Sequence, residues 1–221
     1  MEFSKQKRYT KHLPKIFTEE EFEKIIEHIL NKKDRPNTQM AEFIRWRDAI
    51  AIAIMYYCGL RPAEALELQW KDIDFKEGLI YVRPYINKRK NDLPAIITPP
   101  AEQSLKEYKK AISKIGIKTD FLFPSLWTWE PIRTNSFGRK FNHYLKEMKL
   151  VDVEYYTKQG LPKYSRDLYS LRHSFGTKVF KKTGSELSTS RMLRHTQVAS
   201  ASVYTHLDTD YKKKIAQEVF A

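Results

Sequence analysis

This sequence predicts a mainly α-helical domain with one small antiparallel β-sheet, an α+β fold. Three observations carry that prediction. Apolar residues recur with helical spacing over most of the chain, two short β-rich runs stand together between residues 79 and 97, and no GxGxxG turn follows a strand as a dinucleotide-binding α/β unit requires. With 221 residues, 41% of them hydrophobic, the chain can bury one sizeable core.

Residues 1–14 carry Lys5, Lys7, Arg8 and Lys11 among few apolar side chains and read as a basic arm or linker stub. Thr18 and Glu21 have capping-box spacing, and Phe22, Ile25, Ile26 and Ile29 fall on one stripe, which predicts a first helix from about 19 to 32. After the polar turn Asp34-Arg35-Pro36-Asn37, residues 39–58 are apolar nearly all round, as expected of a helix buried in a core. Gly59 stops it, and Pro62 suits the first turn of another helix reaching Trp70. Leu79 to Arg83 and Leu93 to Ile97 then form a hairpin whose tip is the basic segment Asn87 to Asp92. Further helices are expected near 102–114, 135–148, 168–182, 186–194 and 208–219, with a long polar loop between Met148 and Ser165.

Forty Lys and Arg against 27 Asp and Glu give a formal charge of +13, which points to a polyanionic partner such as nucleic acid. The single cysteine, Cys58, excludes a disulfide framework and a thiolate zinc cluster, and predicts an intracellular protein. The N-terminus lacks the apolar core of a signal peptide, and no apolar stretch is long enough to span a bilayer, so no membrane partner is expected. Walker-type loops, HExxH and paired-cysteine spacing are missing, so phosphate chemistry would run without those devices.

Four local contexts remain as candidates for chemistry. In Gly59-Leu60-Arg61-Pro62-Ala63-Glu64 an arginine sits where one helix ends and the next begins, where its planar fork and the helix amides can both face a phosphate. Glu64 lies on the same helical face and can hold the guanidinium, although a surface i, i+3 ion pair would read the same way. In Asp167 to Thr177, Leu168, Leu171 and Phe175 form a packing stripe, which predicts that Tyr169 and Arg172 point away from the core. Leu193-Arg194-His195 and Ser202-Val203-Tyr204-Thr205-His206 complete the set, each readable alone as a capping histidine or a packed aromatic.

Taken together and in this order, the four fragments resemble the tyrosine recombinase family of phage integrases and Xer-type recombinases, over residues 16 to about 216. The resemblance implies that 15–221 is a catalytic domain of that fold. It makes Arg61 the first catalytic arginine with Glu64 as its acidic neighbour, Arg172 the second, His195 a further site residue and Tyr204 the nucleophile. The family's lysine falls in the hairpin, on Lys88 or Lys90, with Lys88 favoured; Arg89, Lys90 and Arg194 are expected among the DNA contacts. Tyr169 stands where the family usually has histidine, a departure also seen in archaeal and archaeal-virus integrases. It leaves open which group accepts the nucleophile's proton, because a phenol with a pKa of about 10 is a poorer base than imidazole. His173 falls on another helical face and reads as structural.

The implied reaction is cleavage and rejoining of double-stranded DNA through a 3′-phosphotyrosyl link, without metal, ATP or other cofactor. Partners would be DNA and further copies of the chain in a tetramer, with the tail carrying Ile215, Val219 and Phe220 docking on a neighbour or on its own domain. A cytoplasmic, nucleoid-associated location follows. The family usually carries an N-terminal clamp domain before the catalytic one, so residues 1–14 read as the linker to it or the chain as a minimal recombinase. Two alternatives stand beside this reading: a type IB topoisomerase-like enzyme, and a degenerate DNA-binding domain that forms no adduct.

Overall fold

The computed structural model describes residues 15–33, 38–83 and 94–195. Its helices are α1 (Glu19–Leu30), α2 (Gln39–Cys58), α3 (Pro62–Leu66), α4 (Pro99–Ile115), α5 (Thr134–Glu147), α6 (Leu168–Thr183) and α7 (Glu186–Met192). The strands are β1 (Ile73–Asp74), β2 (Leu79–Ile80), β3 (Ala95–Ile96), β4 (Val153–Tyr156) and β5 (Pro162–Tyr164). β1, β2 and β3 form one antiparallel sheet in that order, and β4 pairs with β5 in a separate hairpin.

The core is built around α2. Its residues from Ala49 to Cys58 are almost all buried, and α1, α4 and α6 pack against it, as a helix apolar on every face demands. The capping box expected at the first helix is present: Thr18 Oγ1 accepts from the Glu21 amide at 3.1 Å, and a Glu21 carboxylate oxygen accepts from the Thr18 amide at 3.0 Å. Among the described residues α2 also buries an ionic node that the sequence reading missed. Asp48 accepts from Arg47 Nη2 at 2.7 Å and from the Tyr144 hydroxyl at 2.8 Å, and pairs with Lys140, which ties α2 to α5.

Several element expectations are corrected. The helix begun at Pro62 ends at Leu66, and Trp70 starts a single turn of 3-10 helix, because Asp72 reaches back to the Gln69 amide at 2.8 Å and caps that turn instead. The hairpin expected at 79–97 is the outer part of a three-stranded sheet, with β1 too short to show any alternation. The stretch read as a polar loop before Ser165 contains β4 and β5. All four β4 residues are exposed, so it lacks the in-out pattern that marks a half-buried strand; it is held by pairing with β5 and by a turn in which Gly160 takes a φ of 73°. The hairpin tip and the helix expected at 208–219 lie outside the described residues.

Candidate active site

The end of α2 and the start of α3 build the first part of the site. Gly59 caps α2 with a φ of 61°, a conformation that costs glycine little, and a Cβ there would run into the Phe175 ring of α6. Two residues on, Arg61 is the N-cap of α3 and Pro62 opens the helix. Glu64 turns back: one carboxylate oxygen accepts from the Arg61 amide at 2.8 Å and the other from Arg61 Nη1 at 2.6 Å. The pair is no surface bridge, since the Glu64 side chain is 2% exposed while Arg61 keeps 26% toward solvent.

α6 supplies the second arginine. The sequence expectation that Arg172 points outward with Tyr169 is overturned: Arg172 is buried, and Tyr169, one turn earlier, is half exposed. The physical reason is a pair of backbone acceptors. Arg172 Nη1 donates to the Gly59 carbonyl at 2.5 Å and Nη2 to the Leu193 carbonyl at 2.5 Å, each at the C-cap of a helix where carbonyls lack intrahelical partners. Neither of these two acceptors carries a formal charge. A Glu64 carboxylate oxygen lies 3.9 Å from Arg172 Nη1.

The end of α7 closes the cluster. Arg194, expected among the DNA contacts, is 3% exposed, and its Nη2 donates to Glu64 at 2.7 Å. Its backbone is left-handed with a φ of 54°, which turns the chain so that the half-buried His195 follows, its amide donating to the Ser190 carbonyl at 2.9 Å. Among the described residues, three guanidinium groups thus converge on one carboxylate. Burial alone would raise the Glu64 pKa; the Arg194 charge, the Arg61 amide bond and the Arg61 charge outweigh it and hold the carboxyl below its ordinary range. His173, beside Arg172, also has its pKa lowered, by burial and then by the Arg172 charge, which favours its neutral form.

The structure therefore brings together Arg61, Glu64, Arg172 and the Arg194–His195 turn, with Tyr169 on the first turn of the helix that carries Arg172. Lys88, Arg89, Lys90 and Tyr204 lie outside the described residues. The sequence reading missed the Gly59 and Leu193 carbonyls as arginine acceptors. The signal was present for the first, since a glycine ending a long helix marks a C-cap with free carbonyls. Among the described residues, no group of three or more His, Cys, Asp or Glu side chains is placed to hold a metal ion.

Residues 15–210 match the phage integrase family, nearly the whole chain. The chain belongs to that family. Tyrosine recombinase XerC from Chlorobaculum parvum is 26% identical over 94% of the chain, and XerC from Pediococcus pentosaceus 24% identical over 97%. The chain spans 61% and 65% of the length of these two relatives. Its fold is that of a tyrosine recombinase catalytic domain. The Tn1549 transposon integrase with transposon right end DNA superposes with a TM-score of 0.69, at 18% identity, covering 96% of this chain and 68% of that one. XerH bound to a palindromic difH substrate in a post-cleavage complex gives 0.65 at 23%, covering 92% and 53%. No helix among the described residues of this integrase-family chain is long and apolar enough to cross a membrane.

Proposed function

We propose that this chain is the catalytic domain of a site-specific DNA recombinase, with residues 1–14 as an arm or linker and 15–221 as the domain. The observation that carries the reading is the excess of positive charge where Arg61, Arg172 and Arg194 meet the single carboxylate of Glu64. A buried cluster with more guanidinium than carboxylate is built to receive an anion, and a phosphodiester supplies two non-bridging oxygens for planar forks to grip.

In this proposal Arg61 and Arg172 hold those oxygens as their charge grows toward the transition state. Tyr204 loses its proton, its oxygen bonds to phosphorus, and the P–O5′ bond breaks. The departing 5′ oxygen takes a proton from Lys88, with Lys90 as the alternative donor, because a sugar alkoxide is a far worse leaving group than a phenolate. His195 and Tyr169 add hydrogen bonds to the phosphate, and Arg89 and Lys90 contact the duplex. A free 5′-hydroxyl then attacks the phosphotyrosine and reseals a strand without ATP, metal or cofactor. Exchange between two duplexes calls for four copies, with the C-terminal tail as the docking element, and the setting is cytoplasmic and nucleoid-associated. Named XerH and Tn1549 integrase complexes with DNA support duplex DNA as the partner.

Incubation with a nicked suicide DNA duplex tests the reading: the wild-type chain accumulates a covalent protein–DNA species, and Tyr204→Phe binds the duplex without forming it. DNA binding with no adduct from the wild type would leave a binding domain only. Supercoil relaxation without strand exchange would move the chain to type IB topoisomerase chemistry.

A further inference from the structure

The proposed cleavage chemistry gives Arg61 and Arg172 a task and leaves Arg194 without one, although it is the more deeply buried of the two arginines hydrogen-bonded to Glu64. A long, ionised side chain has been placed at a left-handed position that glycine would occupy without strain, and buried to 3% exposure. Both features cost free energy, so the contact they make possible has to matter more.

That contact is specific. Nη2 of Arg194 donates at 2.7 Å to the same Glu64 oxygen that accepts from the Arg61 amide, while Nε and Nη1 are buried with no hydrogen-bond partner among the described residues. Glu64 is therefore the sole anchor of this guanidinium there. The backbone on either side is also fixed: Leu193 offers its carbonyl to Arg172, the Arg194 amide donates to Arg191 at 2.9 Å, and the His195 amide donates to Ser190.

We infer that Arg194 is a positioning residue for strand cleavage, a latch whose ion pair with Glu64 sets the turn presenting His195 against the helix start presenting Arg61. This rests on the recombinase reading above. With the latch closed, Glu64 is balanced by a cation that takes no part in the chemistry, and the Arg61 charge stays available to the phosphate. With it open, Glu64 draws Arg61 and Arg172 toward itself, and the turn before His195 loses the Arg194 tie to α3.

The experiment compares wild type, Arg194→Gly and Arg194→Lys in single-turnover formation of the covalent complex on a nicked duplex, with half-saturation by DNA and thermal unfolding measured alongside. Glycine suits the left-handed backbone, so Arg194→Gly removes the latch and relieves strain together. The expected result is a cleavage rate at saturating DNA that falls roughly ten- to hundredfold, as a misplaced catalytic group produces, with half-saturation little changed. Arg194→Lys should recover part of the rate, since it keeps the charge without the planar fork. A wild-type rate in Arg194→Gly overturns the inference, and so does a loss confined to half-saturation, which would make Arg194 a DNA contact. A rate loss that follows the unfolded fraction alone would make it merely structural. Absence of an adduct from the wild type itself is a different result, and removes the recombinase reading first.

Discussion

Replacing Glu64 with glutamine changes one oxygen into an NH2 group and leaves the side-chain volume nearly untouched, so the effect isolates the carboxylate. One Glu64 oxygen accepts from Arg61 Nη1, and the other from the Arg61 amide and Arg194 Nη2. An amide has a single acceptor oxygen, so its NH2 must face a donor on one side or the other; at least one guanidinium loses its acceptor, and the buried Arg194 loses its counter-charge in either orientation. Breaking a buried ion pair by removing one member costs about 3–5 kcal/mol. For a domain of this size each kcal/mol moves Tm by roughly 2–4 °C, so Glu64→Gln should melt roughly 6–20 °C below the wild type at pH 7. Circular dichroism melts provide the measurement, with Glu102→Gln, in an exposed i, i+4 pair with Lys106, as the control that should hardly move. The difference also has a pH signature. Because the folded-state pKa of Glu64 lies below the ordinary value of 4.5, its contribution is complete above that value and is lost as pH falls through the folded one. The gap between wild type and Glu64→Gln should therefore be constant above about pH 5 and close on further acidification. Equal melting temperatures at pH 7, or a gap that persists unchanged in acid, would refute the assignment of Glu64 as the ionised centre of the cluster.

Two further predictions test the frame around that centre. Gly59→Ala places a Cβ against the Phe175 ring at a left-handed position, and strain plus overpacking should cost about 2–4 kcal/mol in denaturant unfolding; Phe175→Leu in that background should return part of the loss, and no return would mean the ring contact is unimportant. Cys58 is buried in the core with its thiol pushed up to about 12 by burial, so iodoacetamide at pH 8 should label the folded protein only as fast as it opens, and label it freely in denaturant; rapid labelling under native conditions would place the α2 C-terminus at the surface.

Much of the frame was legible because local signals and burial agree. The Thr18 and Glu21 pair, the all-round apolar run ending at Gly59 and the proline opening α3 each specify an element boundary through backbone chemistry that tertiary packing leaves in place. The small sheet and β4 were harder. Two-residue strands and a fully exposed β4 have no apolar alternation to read, since their stability lies in pairing rather than in a buried face. At the site, motif order singled out Arg61, Glu64, Arg172 and the Arg194–His195 turn, which the fold brings together, but burial could not be read from it. Helical spacing places Tyr169 and Arg172 on one side of α6, yet one is half exposed and the other buried. What separates them is the ends of α2 and α7, brought there by long-range packing, and spacing within α6 contains no trace of that.

The way each arginine is held carries its own argument about role. Arg194 is paired with a carboxylate in full and buried with it, an arrangement that spends its charge inside the protein. Arg172 is held by the Gly59 and Leu193 carbonyls, at the negative ends of two helix dipoles, which favour a cation there while adding no formal negative charge. Rigid placement and a retained charge are what an anion grip needs together, because a guanidinium fixed by its own carboxylate presents little field to a phosphate, and one left unsupported must be ordered when the phosphate arrives. Arg61 lies between the two cases, tied to Glu64 yet open to solvent on its other side. The Glu64–Arg194 pair resolves its position: with Arg194 answering the carboxylate, Glu64 can orient Arg61 without cancelling it, and in the proposed reaction Arg61 and Arg172 keep charge for the phosphate.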